Sequence, residues 1–298
     1  MDSSVNSFST RIFQLVVPVF LTIFMLLALL PFIMLVMSSF STESNLYLEG
    51  YGFWPKGFTT AAYEFLFKSN LGNMMRAFGM SIAVTGIGTG LHLIIAPMFA
   101  YPLSRRDYKH GKFLMVVLLV TMMLNGGMVG QYLMWTNLFH VRNTIWALVF
   151  PNLLFSAFQI VLYKNSFANN IHPVLIEAAK IDGANELDIY FKIVLPLSTP
   201  ILATVGLMVG IGYWNDWING QYYITETNLY SLQVMLTKIM QNLQMLVNMG
   251  DTGITSSEMP GVSVRMAIAV MGTVPILVLY PFFQKAFVAG ISLGGVKE

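Results

Sequence analysis

Glu177-Ala178-Ala179-Lys180-Ile181-Asp182-Gly183-Ala184, continuing to Leu195-Pro196-Leu197 and Pro200, is a polar, small-residue interruption between two long apolar runs. Apolar runs of that length read as membrane spans, so the interruption belongs in water at one membrane face. Its own pattern predicts two short helices with a hinge. Pro173 suits the first turn of one helix, where its missing N–H has no intrahelical acceptor in any case. Gly183 accepts the left-handed conformation that ends that helix. Asn185 can cap the next one, and Pro196 is expected to close the pair. A bent helical hairpin with small side chains on its surface suits the docking of a soluble partner.

The rest of the composition agrees. Apolar residues make up 56% of the 298 and charged residues 10%, far from the balance of a soluble domain. The expected fold class is all-α integral membrane, with one domain over 1–298. There are no cysteines, which excludes a disulfide framework and thiolate metal sites. His92, His110, His140 and His172 share no ligand spacing, so no metal site is expected. A net charge of +2 makes no case for nucleic acid as a partner.

Six transmembrane helices are expected, over about 12–37, 78–103, 113–135, 144–163, 199–218 and 264–287, with 164–198 as the loop that carries the hairpin. The first run is too long for a signal-peptide core and lacks a small-residue cleavage site. Gly86 with Gly90, and Gly206 with Gly210, are small-xxx-small pairs that let helices approach closely. Asn125, Gln131 and Tyr132 fall halfway along the third span. They either line a pathway or bond to a neighbouring helix, because an unpaired amide in hydrocarbon is costly. The stretch from Tyr51 to Thr59 reads as an interfacial aromatic belt. Leu232, Met235, Leu236, Ile239, Met240 and Leu243 predict an amphipathic helix on the outer face or against a partner. The fifth span ends in Tyr213-Trp214-Asn215-Asp216-Trp217, and an acid at that depth is functional or paired.

Alternation of six spans puts both termini, the 105–112 loop and the hairpin on one side. Ser104-Arg105-Arg106-Asp107-Tyr108-Lys109-His110-Gly111-Lys112 is short and dense in positive charge, which makes that side cytoplasmic. No inverted repeat is evident, which argues against a secondary transporter built from paired halves.

Glu177-Ala178-Ala179, Asp182-Gly183-Ala184 and Ile193-x-Leu195-Pro196-Leu197 stand at fixed spacing. They resemble the "EAA" loop of the membrane permease subunits of bacterial ATP-binding-cassette importers, in the carbohydrate-uptake group. Trp54-Pro55-Lys56, Asn143-Thr144-Ile145-Trp146, Tyr213-Trp214-Asn215 and Tyr280-Pro281-Phe282-Phe283-Gln284 extend the resemblance over nearly the whole chain. They look like the branch that handles oligosaccharides or polysaccharide fragments. Gly130-Gln131 departs from it, since a proline is expected there before Tyr132.

The resemblance implies a type I importer permease fold with cytoplasmic coupling helices, multi-pass in the bacterial inner membrane, both termini cytoplasmic. The implied partners are membrane lipid, a second homologous permease chain, two cytoplasmic ATPase subunits and an extracytoplasmic sugar-binding protein. No cofactor is expected on this chain; ATP and Mg would sit on the ATPases, since there is no phosphate-binding glycine-lysine loop here. Glu177, Ala178, Ala179, Asp182, Gly183 and Ala184 would carry ATPase coupling, with Glu177 as polar anchor and Gly183 as hinge. Asn125, Gln131, Tyr132, Tyr213, Trp214, Asn215, Asp216 and Trp217 are candidates for the substrate pathway. Aromatic faces cover the C–H side of a pyranose, while amides and carboxylates answer its hydroxyls. Tryptophans also gather at the outer interface for no other reason than their amphipathic rings. The competing reading is an integral membrane enzyme that modifies lipid or glycan. It would need acids, histidines or metal ligands converging on one face, and Asp216 stands nearly alone.

Overall fold

The computed structural model describes residues 8–124, 126–151, 154–249 and 261–295; Asn125 lies outside them. Among the described residues the regular structure is helical, apart from one antiparallel bridge between Ser41 and Phe58. That is the all-α architecture expected of a chain whose backbone must satisfy its own polar groups in lipid. In order the helices are α1 (Phe8–Ser39), α2 (Glu43–Glu49), α3 (Ala61–Ser104), α4 (Gly111–Met123), α5 (Gly127–Leu133), α6 (Trp146–Val149), α7 (Ala157–Asn170) and α8 (Pro173–Ile181). Then come α9 (Glu186–Ile189), α10 (Leu195–Leu197), α11 (Thr199–Trp214), α12 (Ile218–Tyr223), α13 (Leu232–Met249) and α14 (Val262–Gly295). A π-helical turn over Met134–Leu138 extends α5, and another over Tyr190–Val194 joins α9 to α10.

Two stretches are long and apolar enough to cross a bilayer as single helices, Phe13–Ser39 and Leu71–Ser104. Two bent pairs qualify when joined: Gly111–Met123 with Gly127–Leu138, turning by 114°, and Glu186–Leu197 with Thr199–Trp214, turning by 78°. Length and composition therefore give up to four candidate spans, against the six expected from the sequence.

Several expected boundaries move, each for a local reason. The run 113–135 is not one helix: it stops at Met123 and restarts at Gly127, whose φ of +73° lies outside the right-handed helical region. The run 144–163 is not one helix either. Four residues of α6 precede Pro151, which has no N–H to donate, and α7 starts only at Ala157. The run 199–218 ends at Trp214, and Ile218 opens a separate helix. Pro196 does not close the hairpin. The helix runs through it to Leu197, and the turn falls at Ser198, before Pro200 in the first turn of α11.

The chain forms two compact units, residues 1–71 with 239–273, and 72–238 with 274–298. In the first, α1 carries its apolar surface outward, with none of its spanning window buried. Glu43 of α2 caps the start of α14: one carboxylate oxygen accepts from Val262 N–H at 2.6 Å, the other from Ser263 N–H at 2.9 Å and Ser263 Oγ at 2.6 Å. Tyr51, Phe53, Trp54 and Phe58 are exposed.

The second unit is built around Ile160, Tyr163 and Phe167 of α7, packed with Ala96 and Ala100 of α3, Val205 and Val209 of α11, and Ile189 and Val194 of the hairpin's second arm. The break between α6 and α7 leaves backbone carbonyls without helical donors, and three separate elements supply them. Tyr213 Oη donates to the Val149 carbonyl at 2.8 Å, Asn219 Nδ2 to that of Pro151 at 3.1 Å, and His92 Nδ1 to that of Leu154 at 2.9 Å.

The glycines divide differently from the sequence pattern. A Cβ at Gly86 or Gly90 would meet nothing within 4 Å; both line a groove of about 440 Å³ together with Gly206 and Gly210. The close approach is made by Gly88, where a Cβ would run into the Tyr213 ring, and by Gly206, where it would stand 3.3 Å from Leu93. The amphipathic stretch forms α13 but does not offer its whole apolar face to a partner. Leu232, Val234, Met235 and Leu236 are buried, Val234 fills the space above Gly220, and Leu232 N–H donates to Ser81 Oγ at 2.8 Å.

These contacts predict unequal costs. Tyr213→Phe leaves a buried carbonyl without a donor and should destabilise the purified protein by about 1–3 kcal/mol. Gly88→Ala should cost about as much through overpacking, while Gly86→Ala should stay within about 0.5 kcal/mol. Thermal unfolding in detergent distinguishes them; equal midpoints for all three variants would contradict this packing.

Candidate functional site

The hairpin is built by local chemistry. Pro173 occupies the first turn of α8, and Ile176 points into the core while Glu177, Ala178 and Asp182 face solvent. The helix ends in a paired backbone motif: Ala184 N–H reaches back to the Ala179 carbonyl at 2.9 Å and Gly183 N–H to that of Lys180 at 3.1 Å. That closure needs a left-handed residue between the arms, and Gly183 supplies it with φ +81°. Asn185 then caps α9, its Oδ1 accepting from Asp188 N–H at 2.9 Å. Ala179 and Ala184 pack against the core beside the larger Ile176 and Ile189. The outward surface is partly apolar: Ile181 is 86% exposed and Leu187 61%. Exposed aliphatics offer contact area rather than reacting groups.

Behind the bend four charged side chains form a ring. Arg105, just past the end of α3, donates from Nε to Asp107 Oδ1 at 2.8 Å and from Nη2 to the other oxygen. Its Nη1 lies 3.0 Å from Tyr101 Oη and 3.5 Å from Glu186 Oε2. Tyr101 Oη donates to the same Glu186 oxygen at 2.7 Å. Lys180 completes the circuit, 2.9 Å from Glu186 Oε1 and 3.5 Å from Asp107 Oδ2. The Arg105 side chain is 13% exposed. Its hydrogen bonds hold the Asp107 carboxyl down at about 2, and Asp107 in turn raises the Arg105 pKa above its ordinary value, so both stay charged at any physiological pH. A cleft of about 530 Å³ beside the ring is lined by Glu177, Lys180, Arg106 and Asn169.

The pathway candidates do not converge. Tyr213 and Trp214 are buried in packing, the latter edge-on to Phe78 at 5.8 Å. Asp216 accepts from Asn219 twice, from its N–H at 3.1 Å and its Nδ2 at 2.7 Å, so it braces the start of α12. Asn215 and Trp217 are exposed, with Asn215 Oδ1 3.5 Å from Gln233 Nε2. Tyr132 stacks on Tyr223 at 5.8 Å, and Gln131 lines a separate cavity with Trp135, Phe150 and Phe155. Among the described residues no three His, Asp or Glu gather as metal ligands do. Sequence reading missed Glu186, Asn219 and the pairing of Arg105 with the hairpin. The alternation of sign among Arg105, Asp107, Lys180 and Glu186 was the available signal, but the partners lie 81 and 85 positions apart.

Long apolar helices, with a short capped hairpin exposed between them, define an all-helical membrane protein. The sequence pattern of the family described as "binding-protein-dependent transport system inner membrane component" matches residues 92–293. The chain belongs to that family. It is 36% identical over 288 residues to the polygalacturonan/rhamnogalacturonan transport system permease protein YtcP of Bacillus subtilis, covering 96% of this chain and 99% of that one. It is 33% identical to protein LplC of the same organism, covering 98% and 97%. Among solved structures it resembles a bacterial ABC transporter involved in the import of the acidic polysaccharide alginate, with a TM-score of 0.75 and 29% identity over 94% of this chain and 98% of that one. The matched family, YtcP and the alginate importer are described as transport components, and none of the matches supports the membrane-enzyme alternative.

Loss of the cap is directly measurable. Asn185→Ala should weaken the start of α9 by about 1 kcal/mol. Amide exchange over 186–189 should accelerate accordingly, and unchanged protection would refute the capping role.

Proposed function

We propose that this chain is a permease subunit of an ATP-driven importer for oligosaccharides or polysaccharide fragments, forming half of a pathway with a second, homologous permease. The observation that carries the reading is the hairpin: two helical arms, closed at Gly183 and capped at Asn185, present Glu177, Ala178, Asp182 and exposed aliphatics to water. The saccharide class follows from the relatives, one a permease for polygalacturonan and rhamnogalacturonan and another an importer of alginate.

In this reading 1–298 is one permease domain in the inner membrane, with six spans and both termini in the cytoplasm. The spans are α1, α3, α4 with α5, α6 with α7, α11 and α14. Two ATPase subunits bind ATP and Mg, and an extracytoplasmic protein delivers the sugar. Closure of the ATPase pair on ATP drags the coupling arms, with Glu177 as anchor and Gly183 as hinge, and the cavity changes the side to which it opens. Gln131, Tyr132, Asn215 and Trp217 are the pathway candidates that keep surface available for a sugar. Tyr213, Trp214 and Asp216 shape the wall behind them.

The test is reconstitution with the ATPases, the second permease and the binding protein, using labelled galacturonan oligomers. The native complex should co-purify with the ATPases and take up sugar only with ATP. Gly183→Val forces a β-branched residue into a left-handed position, which costs at least about 1–2 kcal/mol locally. It should leave the chain inserted and the ATPase active while uptake is lost. Coupled uptake by Gly183→Val would sink the assignment.

A further inference from the structure

The ring behind the hairpin is not needed to form either arm, since α8 and α9 are closed by their own backbone and cap bonds. It also stands where charge pairs contribute little to stability: Glu186 and Asp107 are 56% and 59% exposed at the side chain. What it does accomplish is positional. Lys180 belongs to the arm before Gly183 and Glu186 to the arm after it, so the ring spans the hinge. Both are joined to one point, Arg105 and Asp107 at the end of α3. Arg105 is suited to hold that point, because its planar fork grips both Asp107 oxygens and leaves one nitrogen for Tyr101 and Glu186. Tyr101, one turn back on α3, reaches the same Glu186 oxygen, and its ring lies 5.5 Å from that of Tyr190.

We propose that the ring of Arg105, Asp107, Lys180 and Glu186 is the tie that passes movement of the coupling hairpin to α3, with Arg105 as its positioning residue. The ring stays closed through the transport cycle, so that both arms and the end of α3 move as one body. This rests on the reading of the hairpin as the ATPase-docking element.

The chain has no cysteine, so single reporters can be placed cleanly. Gly86→Cys puts a thiol on α3 in open space, away from the ring. In the assembled transporter, the rate at which a maleimide labels that thiol should change when a non-hydrolysable ATP analogue with Mg is added. Glu186→Gln keeps the shape of the side chain but removes its charge. It should leave the ATPases bound and hydrolysing while the nucleotide-dependent change at Gly86→Cys shrinks by roughly tenfold, the scale of a lost coupling free energy. Arg105→Lys, which keeps charge but not the fork, should give an intermediate loss. In a second background, Asp107→Cys with Lys180→Cys should show the same loss, and a short thiol-reactive cross-linker between the two should restore it. That background carries no Gly86→Cys, so its readout is a fluorophore attached at residue 86 through a non-thiol, genetically encoded side chain.

A response that persists in Glu186→Gln, or a cross-link that abolishes it, overturns the tie. A ring that is only structural would lower ATPase binding and response in parallel, which also counts against it. If the unaltered ring shows no ATPase binding and no nucleotide response, the docking reading fails instead, so the two failures are distinguishable.

Discussion

A carbonyl shut away from water must find a donor within the protein, and the break between α6 and α7 presents several at once. Leaving one unmet costs about 1–3 kcal/mol, as much as most single side-chain contacts return. The solution here is a set of donors from three different helical elements: Tyr213 at the end of α11, Asn219 in α12 and His92 in the middle of α3. Each donor fixes its own helix relative to the break. The position of α11 against α3 then follows, because Tyr213 can reach Val149 only with its ring lying where a side chain on Gly88 would be. A glycine on α3 is thus a consequence of a proline-containing break 63 residues further on, at Pro151.

This dependence explains what the sequence could show. The hairpin was legible because its determinants are neighbours in the chain: Pro173 in a first turn, Gly183 at a left-handed position, Asn185 three residues before the N–H it caps. Helical class and the apolar runs were legible for the same reason, being local composition read against lipid. The ends of α4 at Met123 and of α6 at Val149 were not. Periodicity registers that a stretch is apolar, but it does not register that donors 62, 64 and 68 positions away make an interruption tolerable there. The same limit hid the ring, and it hid Gly88, which the small-residue pattern of Gly86 and Gly90 passes over. Spacing identifies a smooth face, but only the partner's side chain decides which glycine is required.

Asp216 shows how a residue type that signals function can be occupied by structure. A carboxylate near the end of a span demands a partner or a task. In this chain it has a partner, since Asn219 offers both its amide and its side chain, and the second hydrogen on Asn219 Nδ2 is the one that serves Pro151. The acid therefore belongs to the bracing of the break. The more exposed neighbours Asn215 and Trp217 hold the surface that a solute could meet.

The element common to the break and the hairpin is α3. Gly88 and His92 are four residues apart and so share a face, one receiving the Tyr213 ring and the other bonding to Leu154. Tyr101 and Arg105, again four apart, stand at the end that meets Glu186. Pro97 lies between these two contacts and Pro102 within the second, each removing a backbone bond and inviting a bend. A freely bending helix would absorb displacement instead of carrying it. The surroundings oppose that: Ala96 and Ala100, on either side of Pro97, are fully buried against the core of α7 and the hairpin's second arm. Close packing resists compression in a way that an isolated proline kink does not. Under the proposed tie, a shift at the end of α3 would therefore reach His92 through a packed segment, and with it the Leu154 carbonyl that His92 holds.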